Sequence, residues 1–398
     1  MINEELKWKK GVTEIARRLI PEKLFVDVNF SNNLQTVHTP YPLCKSMISK
    51  LKKYCDFTDK KFLVLNLEFA EILMYDFDVD RSCIWYVTDC EQKKKVAEQF
   101  GRYKINAVCG NFLYMEEEMK FDCVIMNPPY QGAKDKTKSV SNNIGGGEVW
   151  PKFVDKSIEM CKEDGFVINI HPGKWRKPEH KILPTIKKYD LKYIEIHDVN
   201  DGLRTFKANT NYDWYILKKC HYSGETVVVD SDKKTQGVDI ENMPCIPSAN
   251  FSLFNKILAK DGEERTQVIY SASIYDHRKV SPNKTDTHIY PCVYGLTKRD
   301  GLKIWYSDSP IVSYFSYPKV IVPISIYTDA TIDPDGSYGL CEFTFGIKSE
   351  NVEEAEKIKQ AILSEKFKTI WRSTQWVLTS KEWRVFKYFR KDFWKEFV

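Results

Sequence analysis

The chain has 398 residues, 42% hydrophobic and 14% aromatic, which is enough apolar material for two cores of ordinary domain size. Lys plus Arg total 60 against 55 for Asp plus Glu, and the resulting net charge of +5 permits nucleic-acid binding without requiring it. The 11 cysteines form no Cys-x-x-Cys pair and no Cys/His cluster at zinc spacing, which argues against a zinc module or a secreted disulfide framework, so no metal site is expected.

No signal-peptide pattern precedes the charged, helix-like stretch 4–18, and the apolar run 320–327 is too short to cross a bilayer; a soluble protein of the reduced, cytoplasmic compartment is expected, with no membrane partner. Residues 1–35 read as a helical lead-in and connector. From 36 to 221 short apolar runs alternate with helix-like stretches, the pattern of a wound α/β sheet. They predict strands at 62–67, 83–88, 105–108, 123–126, 165–170, 193–197 and 214–218, with helices at 42–54, 91–100 and 150–163. Pro151 near the first turn of the last helix and Gly165 just past its end suit helix termini. Between 131 and 147 the chain becomes polar, lysine-bearing and glycine-rich, the composition of an active-site lid or of a plain surface loop.

From 222 to 398 the character changes, and this half reads as a second, α+β domain. Strand-like pieces at 226–229, 268–270 and 320–327 are separated by Pro, Asp and Gly turns, and a helix is predicted at 352–364. The last stretch interleaves Trp371, Trp376, Trp383, Phe386, Tyr388, Phe389 and Trp394 with Arg372, Lys381, Arg384, Lys387, Arg390 and Lys391. Such a segment either meets phosphates and bases or covers a core with solvated cations.

Asn127-Pro128-Pro129-Tyr130 directly follows the apolar run 121–126. A short apolar run stopped by two prolines reads as a buried parallel strand ending in a stiff turn. The stiffness lets the Asn127 side-chain carbonyl and the Pro128 main-chain carbonyl point at one site. Two such acceptors can hold the hydrogens of an exocyclic amino group and turn its lone pair toward an electrophile. Tyr130 can lie flat on an aromatic base. A plain Pro-Pro turn at a strand end is the alternative.

Further segments stand in a fixed order around this motif. His38-Thr39-Pro40-Tyr41 opens a helix, one strand ends at Asn66, another at Asp89, and Gly110-Asn111-Phe112 follows a third. Beyond the tetrapeptide lie Trp150, then His171-Pro172-Gly173-Lys174-Trp175-Arg176, then Phe206. In these motifs the chain resembles the γ-class amino-methyltransferases, specifically the Eco57I- and TaqI-like adenine-specific DNA methyltransferases, over residues 36–220. The resemblance implies a Rossmann-like sheet binding S-adenosylmethionine at the carboxyl ends of its strands, followed by a target-recognition domain. It implies that Thr39 and Pro40 border the methionine part of the cofactor, that Asp89 accepts from the ribose hydroxyls, and that Asn111 and Phe112 flank the adenine. Asn127, Pro128, Pro129 and Tyr130 would form the catalytic set. Phe206, Trp150, Lys174 and Trp175 would lie on the DNA side, Phe206 opposite Tyr130. The implied reaction is methylation of N6 of an adenine flipped out of double-stranded DNA, in a restriction-modification setting. Oligomeric state stays open, a monomer being compatible. Asp89 could instead cap the helix starting at Glu91, and Phe112 and Phe206 could be core.

Two positions depart from the family pattern. Asn111 stands where an acid is frequent, and the turn Val64-Leu65-Asn66-Leu67-Glu68-Phe69-Ala70 lacks the usual glycines. Either the pocket is rebuilt, with Asn66 or Glu68 contacting the methionine ammonium, or cofactor binding is lost. The competing readings are a non-catalytic, methyltransferase-like nucleic-acid-binding subunit and a protein-glutamine or N4-cytosine methyltransferase. No nuclease carboxylate–lysine cluster is discernible.

Overall fold

The structure is a computed structural model that describes residues 38–99, 103–116, 118–131, 148–270, 280–297, 301–310, 315–377 and 380–398. The expected lead-in at 1–35 and nearly all of the expected loop at 131–147 lie outside the described residues. The chain divides into two units, Met1–Trp175 with Lys181–Asn242, and Arg176–His180 with Met243–Val398.

The first unit runs α1 (Tyr41–Leu51), β1 (Phe62–Val64), α2 (Leu67–Asp76), β2 (Ile84–Thr88), α3 (Glu91–Gln99), β3 (Asn106–Cys109), β4 (Phe121–Met126), α4 (Trp150–Met160) and β5 (Cys161–Pro172). It continues with α5 (Ile182–Lys187), β6 (Asp190–His197), α6 (Val199–Phe206), β7 (Tyr212–Lys218), β8 (Thr226–Val229) and β9 (Thr235–Val238). The nine strands form one sheet in the order β3-β2-β1-β4-β5-β7-β6-β8-β9. The first five are parallel neighbours, and β7 runs antiparallel between β5 and β6. Strands covered on both faces need apolar residues at every position, and β1 is buried throughout as Phe62-Leu63-Val64. Chain order reverses between β1 and β4, so a crevice opens where both strands end, the place at which open α/β sheets hold ligands. Met47, Ile48 and Leu51 of α1, with Phe69 and Leu73 of α2, share one core with Phe62, Ile125 and Ile168. Each such side chain contributes about 1.5–3 kcal/mol by leaving water.

Three details differ from the sequence expectations. The strand expected at 62–67 ends at Val64, and Leu67 already opens α2. The helix expected at 150–163 stops at Met160, because Cys161 turns extended (φ −82°, ψ 140°) and begins β5. Gly165 therefore is no helix terminus. A Cβ there would come within 2.8 Å of the Asp122 carbonyl and 2.7 Å of Cys161 Sγ, so only glycine lets β5 pass so close to its neighbours. Finally, β8 pairs with β6 and β9 with β8, so the large sheet continues past the boundary expected at 221–222.

Among the described residues the second unit holds α7 (Phe251–Ile257) and eight strands: β10 (Val268–Ile269), β11 (Val280–Ser281), β12 (Tyr290–Thr297), β13 (Gly301–Ser307), β14 (Lys319–Pro323), β15 (Thr331–Asp333), β16 (Gly339–Leu340) and β17 (Thr344–Lys348). They form two four-stranded sheets, β10-β17-β14-β15 and β11-β13-β12-β16. The strand expected at 320–327 ends at Pro323, one further backbone bond following from Ile324 N–H to the Phe343 carbonyl at 2.8 Å. Helices α8 (Val352–Leu363) and α9 (Glu365–Ser373) follow. Lys319 and Asp333 form an ion pair at 2.5 Å with side chains 0% and 1% exposed.

In the final stretch Trp371, Trp376, Phe386 and Phe389 are buried, and Phe386 meets Phe389 at 5.1 Å between ring centroids. Arg384 and Lys387 pair with Glu179, Lys391 with Glu264, and Arg390 with Asp392 and Glu396. Of the two readings offered by the sequence, the core-covering one describes these side chains. Among the described residues no helix is long and apolar enough to cross a membrane, and no group of three or more His, Cys, Asp or Glu is placed to hold a metal ion.

Candidate active site

The site begins with strand register. Val64 of β1 stands opposite Ile125 of β4, so the residues two further on, Asn66 and Asn127, leave the sheet side by side. They close a reciprocal bond: Asn127 N–H donates to Asn66 Oδ1 at 2.8 Å, and Asn66 Nδ2 donates to the Asn127 carbonyl at 3.3 Å. The side-chain amide of Asn66 thus acts as one more peptide group and prolongs the β1–β4 ladder past its end. An asparagine at this position ordinarily caps the helix it precedes. Here its side chain is engaged, and α2 starts without a side-chain cap. Phe69 N–H donates to the Asn66 carbonyl at 3.2 Å, and a helix start of this kind favours a negative group.

Asn127 is only 1% exposed. Its Nδ2 donates to Thr39 Oγ1 at 3.1 Å, and Thr39, itself 0% exposed, donates its backbone N–H to Glu68 Oε1 at 2.9 Å. The same carboxylate lies 3.2 Å from His38 Nδ1, and that hydrogen bond holds the imidazole pKa above its ordinary value against the opposing effect of burial. Pro40 sits at the start of α1, its carbonyl accepting from Leu43 and Cys44 N–H. The structure therefore gathers Thr39, Asn66, Glu68 and Asn127 into one hydrogen-bonded group. Glu68 is engaged with Thr39 and His38, and it does not line the neighbouring cavity.

That cavity has a volume of about 340 Å³, within the range of small-molecule sites, and Asn66, Asp89, Asn111, Phe112, Asn127 and Pro129 contribute to its wall. Asp89 is exposed one residue past β2. Phe112 is at once wall and packing residue, since it stacks on Phe153 at 5.7 Å and 20°. Asn111 Oδ1 accepts from Leu113 N–H at 3.0 Å, which leaves the Nδ2 donor as the end of that amide suited to a ligand.

Pro128 and Pro129 are buried and Tyr130 is half-buried, with no cis peptide among the described residues. The Tyr130 hydroxyl is turned inward without a hydrogen-bond partner among the described residues, and burial, reinforced by Tyr212 and Asp213, raises its pKa above the ordinary phenol value. Its carbonyl accepts from Val149 N–H at 3.2 Å, and Gln131 bridges to Glu148. The chain thus returns to the start of α4 directly beside the tetrapeptide.

The residues expected on the DNA side are placed differently. Trp150 is 0% exposed and stacks on His171 at 4.4 Å. Trp175 is also enclosed, its Nε1 donating to Asp213 Oδ2 at 2.8 Å. Neither ring offers a face to a ligand, because both fill the layer between α4, β5 and β7; this corrects the expectation of substrate contact. Lys174 pairs with Glu148. Phe206 is half-buried and meets Tyr212 edge-on at 4.9 Å. Phe153, Tyr212 and Asp213 escaped the sequence reading. Phe153 was legible as the i+3 neighbour of Trp150, whereas Tyr212 and Asp213 begin a strand and carry no signal of their own.

Part of the chain is similar to known methylases. The family model described as Eco57I restriction-modification methylase matches residues 45–206. An uncharacterized adenine-specific methylase of Mycoplasma pneumoniae is 26% identical over 233 residues, covering 54% of this chain and 48% of that protein. The chain thus spans about half the length of the curated relative it matches. Among solved structures, the type IIL restriction-modification enzyme MmeI in complex with DNA is similar with a TM-score of 0.45 and 10% identity, covering 95% of this chain and 66% of that one. The type IIG restriction endonuclease BpuSI is similar with a TM-score of 0.45 and 10% identity, covering 91% of this chain and 60% of that one. The matched segment, residues 45–206, is the one that holds the wound sheet and the Asn66–Asn127 crevice, and in it the chain is similar to the Eco57I restriction-modification methylases.

Proposed function

We propose that the protein transfers a methyl group from S-adenosylmethionine to the N6 amino group of an adenine flipped out of double-stranded DNA, as the modification activity of a restriction-modification system. The observation that carries this reading is Asn127, locked by Asn66 and Thr39 at the β1–β4 crevice and forming part of the same cavity wall as Asp89 and Phe112.

The residues present fit the cofactor. Asp89 offers a carboxylate to vicinal hydroxyls and Phe112 an apolar wall to a purine. The glycine-free turn leaves the cavity open, Leu65 and Asn66 forming one side of it. When bound, the cofactor supplies an electrophilic methyl group on a sulfonium.

With Nδ2 held by Thr39, the amide oxygen is the end of Asn127 suited to accept an amino hydrogen, and the Pro128 carbonyl is the second acceptor. Together they favour a pyramidal amino nitrogen with an available lone pair. Alignment and fixed dipoles supply the acceleration without a strong general base, and the extra proton leaves to water. In a duplex the amino group is paired, so the base must leave the stack, and Tyr130 stacking offsets about 1–3 kcal/mol of that cost.

The test is transfer of labelled methyl from S-adenosylmethionine to duplex DNA, followed by nucleoside analysis. N6-methyladenine is expected. N4-methylcytosine, or label found on protein acceptors alone, would sink the reading, and absence of cofactor binding in calorimetry with DNA present would favour a subunit without turnover. Asp89→Ala should weaken S-adenosylmethionine binding about 10–100-fold, the loss of one or two hydrogen bonds to a charged group. Asp89 is exposed, so the melting temperature should move little.

A further inference from the structure

We infer that Thr39 is a positioning residue whose hydroxyl holds the side-chain amide of Asn127 in its working rotamer, with Glu68 seating Thr39 in turn; the inference rests on the reading of Asn127 as the group that grips the target amine. The resemblance to adenine methyltransferases would place Thr39 against the methionine part of the cofactor. The geometry gives it other work. Thr39 is completely enclosed and is absent from the cavity wall, while its Oγ1 lies 3.1 Å from Asn127 Nδ2.

The backbone of Asn127 is clamped on both sides by Asn66, its N–H at 2.8 Å and its carbonyl at 3.3 Å. What the clamp leaves free is the torsion of the side-chain amide, which is broad and roughly two-fold. The two ends of that amide have nearly the same shape and opposite hydrogen-bonding sense. Turned by half a rotation, Nδ2 would point a donor at the amino hydrogens it should accept from. A group outside the backbone must therefore hold the torsion, and Thr39 Oγ1 stands at the inward nitrogen. Thr39 needs seating as well, since it precedes α1 and lies outside any regular element. Glu68, the second residue of α2, supplies this through the Thr39 N–H at 2.9 Å. The departure of this chain from a glycine-rich first turn thereby acquires a use: Asn66 and Glu68, two of the residues found there, carry the scaffold of Asn127.

The test uses the full-length protein and the isosteric Thr39→Val, with Thr39→Ser as the conservative variant. Thr39→Ala serves as a second hydroxyl-free variant if valine impairs folding. In protein labelled with 15N at asparagine, the Asn127 side-chain amide signal is assigned by its loss in Asn127→Ala. Its hydrogen exchange should quicken about 3–10-fold in Thr39→Val, the equivalent of one ordinary hydrogen bond, and recover in Thr39→Ser. In methyl transfer kcat should fall about 10–100-fold in Thr39→Val, as for a misplaced reacting group, with KM and calorimetric Kd for S-adenosylmethionine within about twofold of wild type. Unchanged amide exchange would overturn the inference. So would a loss of cofactor affinity that accounts for the fall in rate, which would mark Thr39 as a cofactor contact. A wild-type protein that methylates nothing would defeat the functional reading alone, because the exchange experiment needs neither cofactor nor substrate.

Discussion

Asn127→Ala should lower kcat for methyl transfer by about 10²–10³-fold, the range found when one preorganised polar partner of a reacting group is removed. Duplex affinity should stay within about threefold, because phosphate contacts dominate such binding and Asn127, at 1% exposure, touches none of the outer surface. The variant also removes a donor to Thr39 Oγ1, at a cost to stability of about 1–3 kcal/mol if that oxygen stays unsatisfied. Single-turnover transfer at saturating cofactor, fluorescence anisotropy with labelled duplex, and a thermal melt separate the three effects. Parallel losses of rate and DNA affinity would point to misfolding and would count against Asn127 as the gripping residue.

Asp333→Ala is expected to destabilise the second unit by about 3–5 kcal/mol, the usual consequence of leaving one charge of a buried pair without its partner. Lys319 and Asp333 are almost completely enclosed, and burial already lowers the Lys319 pKa, with Asp333 acting in the opposite direction. Asp333 does more than neutralise the ammonium. Its Oδ1 accepts from Ser337 N–H at 2.8 Å and its Oδ2 from Tyr338 N–H at 3.0 Å. Alanine would orphan those two donors and leave the Lys319 ammonium without its counter-charge, with the Tyr317 carbonyl at 3.3 Å as an acceptor. Lys319→Met should therefore be the milder change, since the carboxylate keeps both backbone bonds. Denaturant unfolding of the full chain, followed at the tryptophans, checks the order. Equal losses for the two variants would count against this order. Cofactor affinity, set in the first unit, should be the same in both variants while they are folded.

Much of the first unit was legible in its residues because a buried parallel strand leaves few choices. The runs at 62, 84 and 121 are short, apolar and bounded by turn residues, and each begins a strand within a residue or two of expectation. Helix α2 was not separable from β1, because Leu67-Glu68-Phe69-Ala70 prolongs the same apolar run and period 2 passes into period 3.6 without a break. Gly165 read as a helix terminus since glycine serves equally at caps and at close approaches, and only its neighbours distinguish them. The motif named Asn66 and Asn127 separately; their mutual bond depends on the pairing of Val64 with Ile125, which no local pattern encodes. Trp150 and Trp175 were misplaced for a related reason. An aromatic residue has the same sequence whether its ring faces a ligand or, as here, His171 and Asp213. The cations of the last stretch were ambiguous until Glu179 and Glu264, distant in sequence, were found beside them.

The short segment Arg176–His180 belongs with the second unit although its flanks belong with the first. Arg176 is enclosed there, donating through Nη1 to the Ile246 carbonyl at 2.9 Å and to Ser248 Oγ at 3.2 Å. The polypeptide consequently changes unit three times, at 175–176, 180–181 and 242–243. A protease nick near 242 would not liberate an intact half. Grafting the later half onto another protein would require two inserts, the pentapeptide included, and a gene fusion joined at one point would strand a guanidinium without its carbonyl.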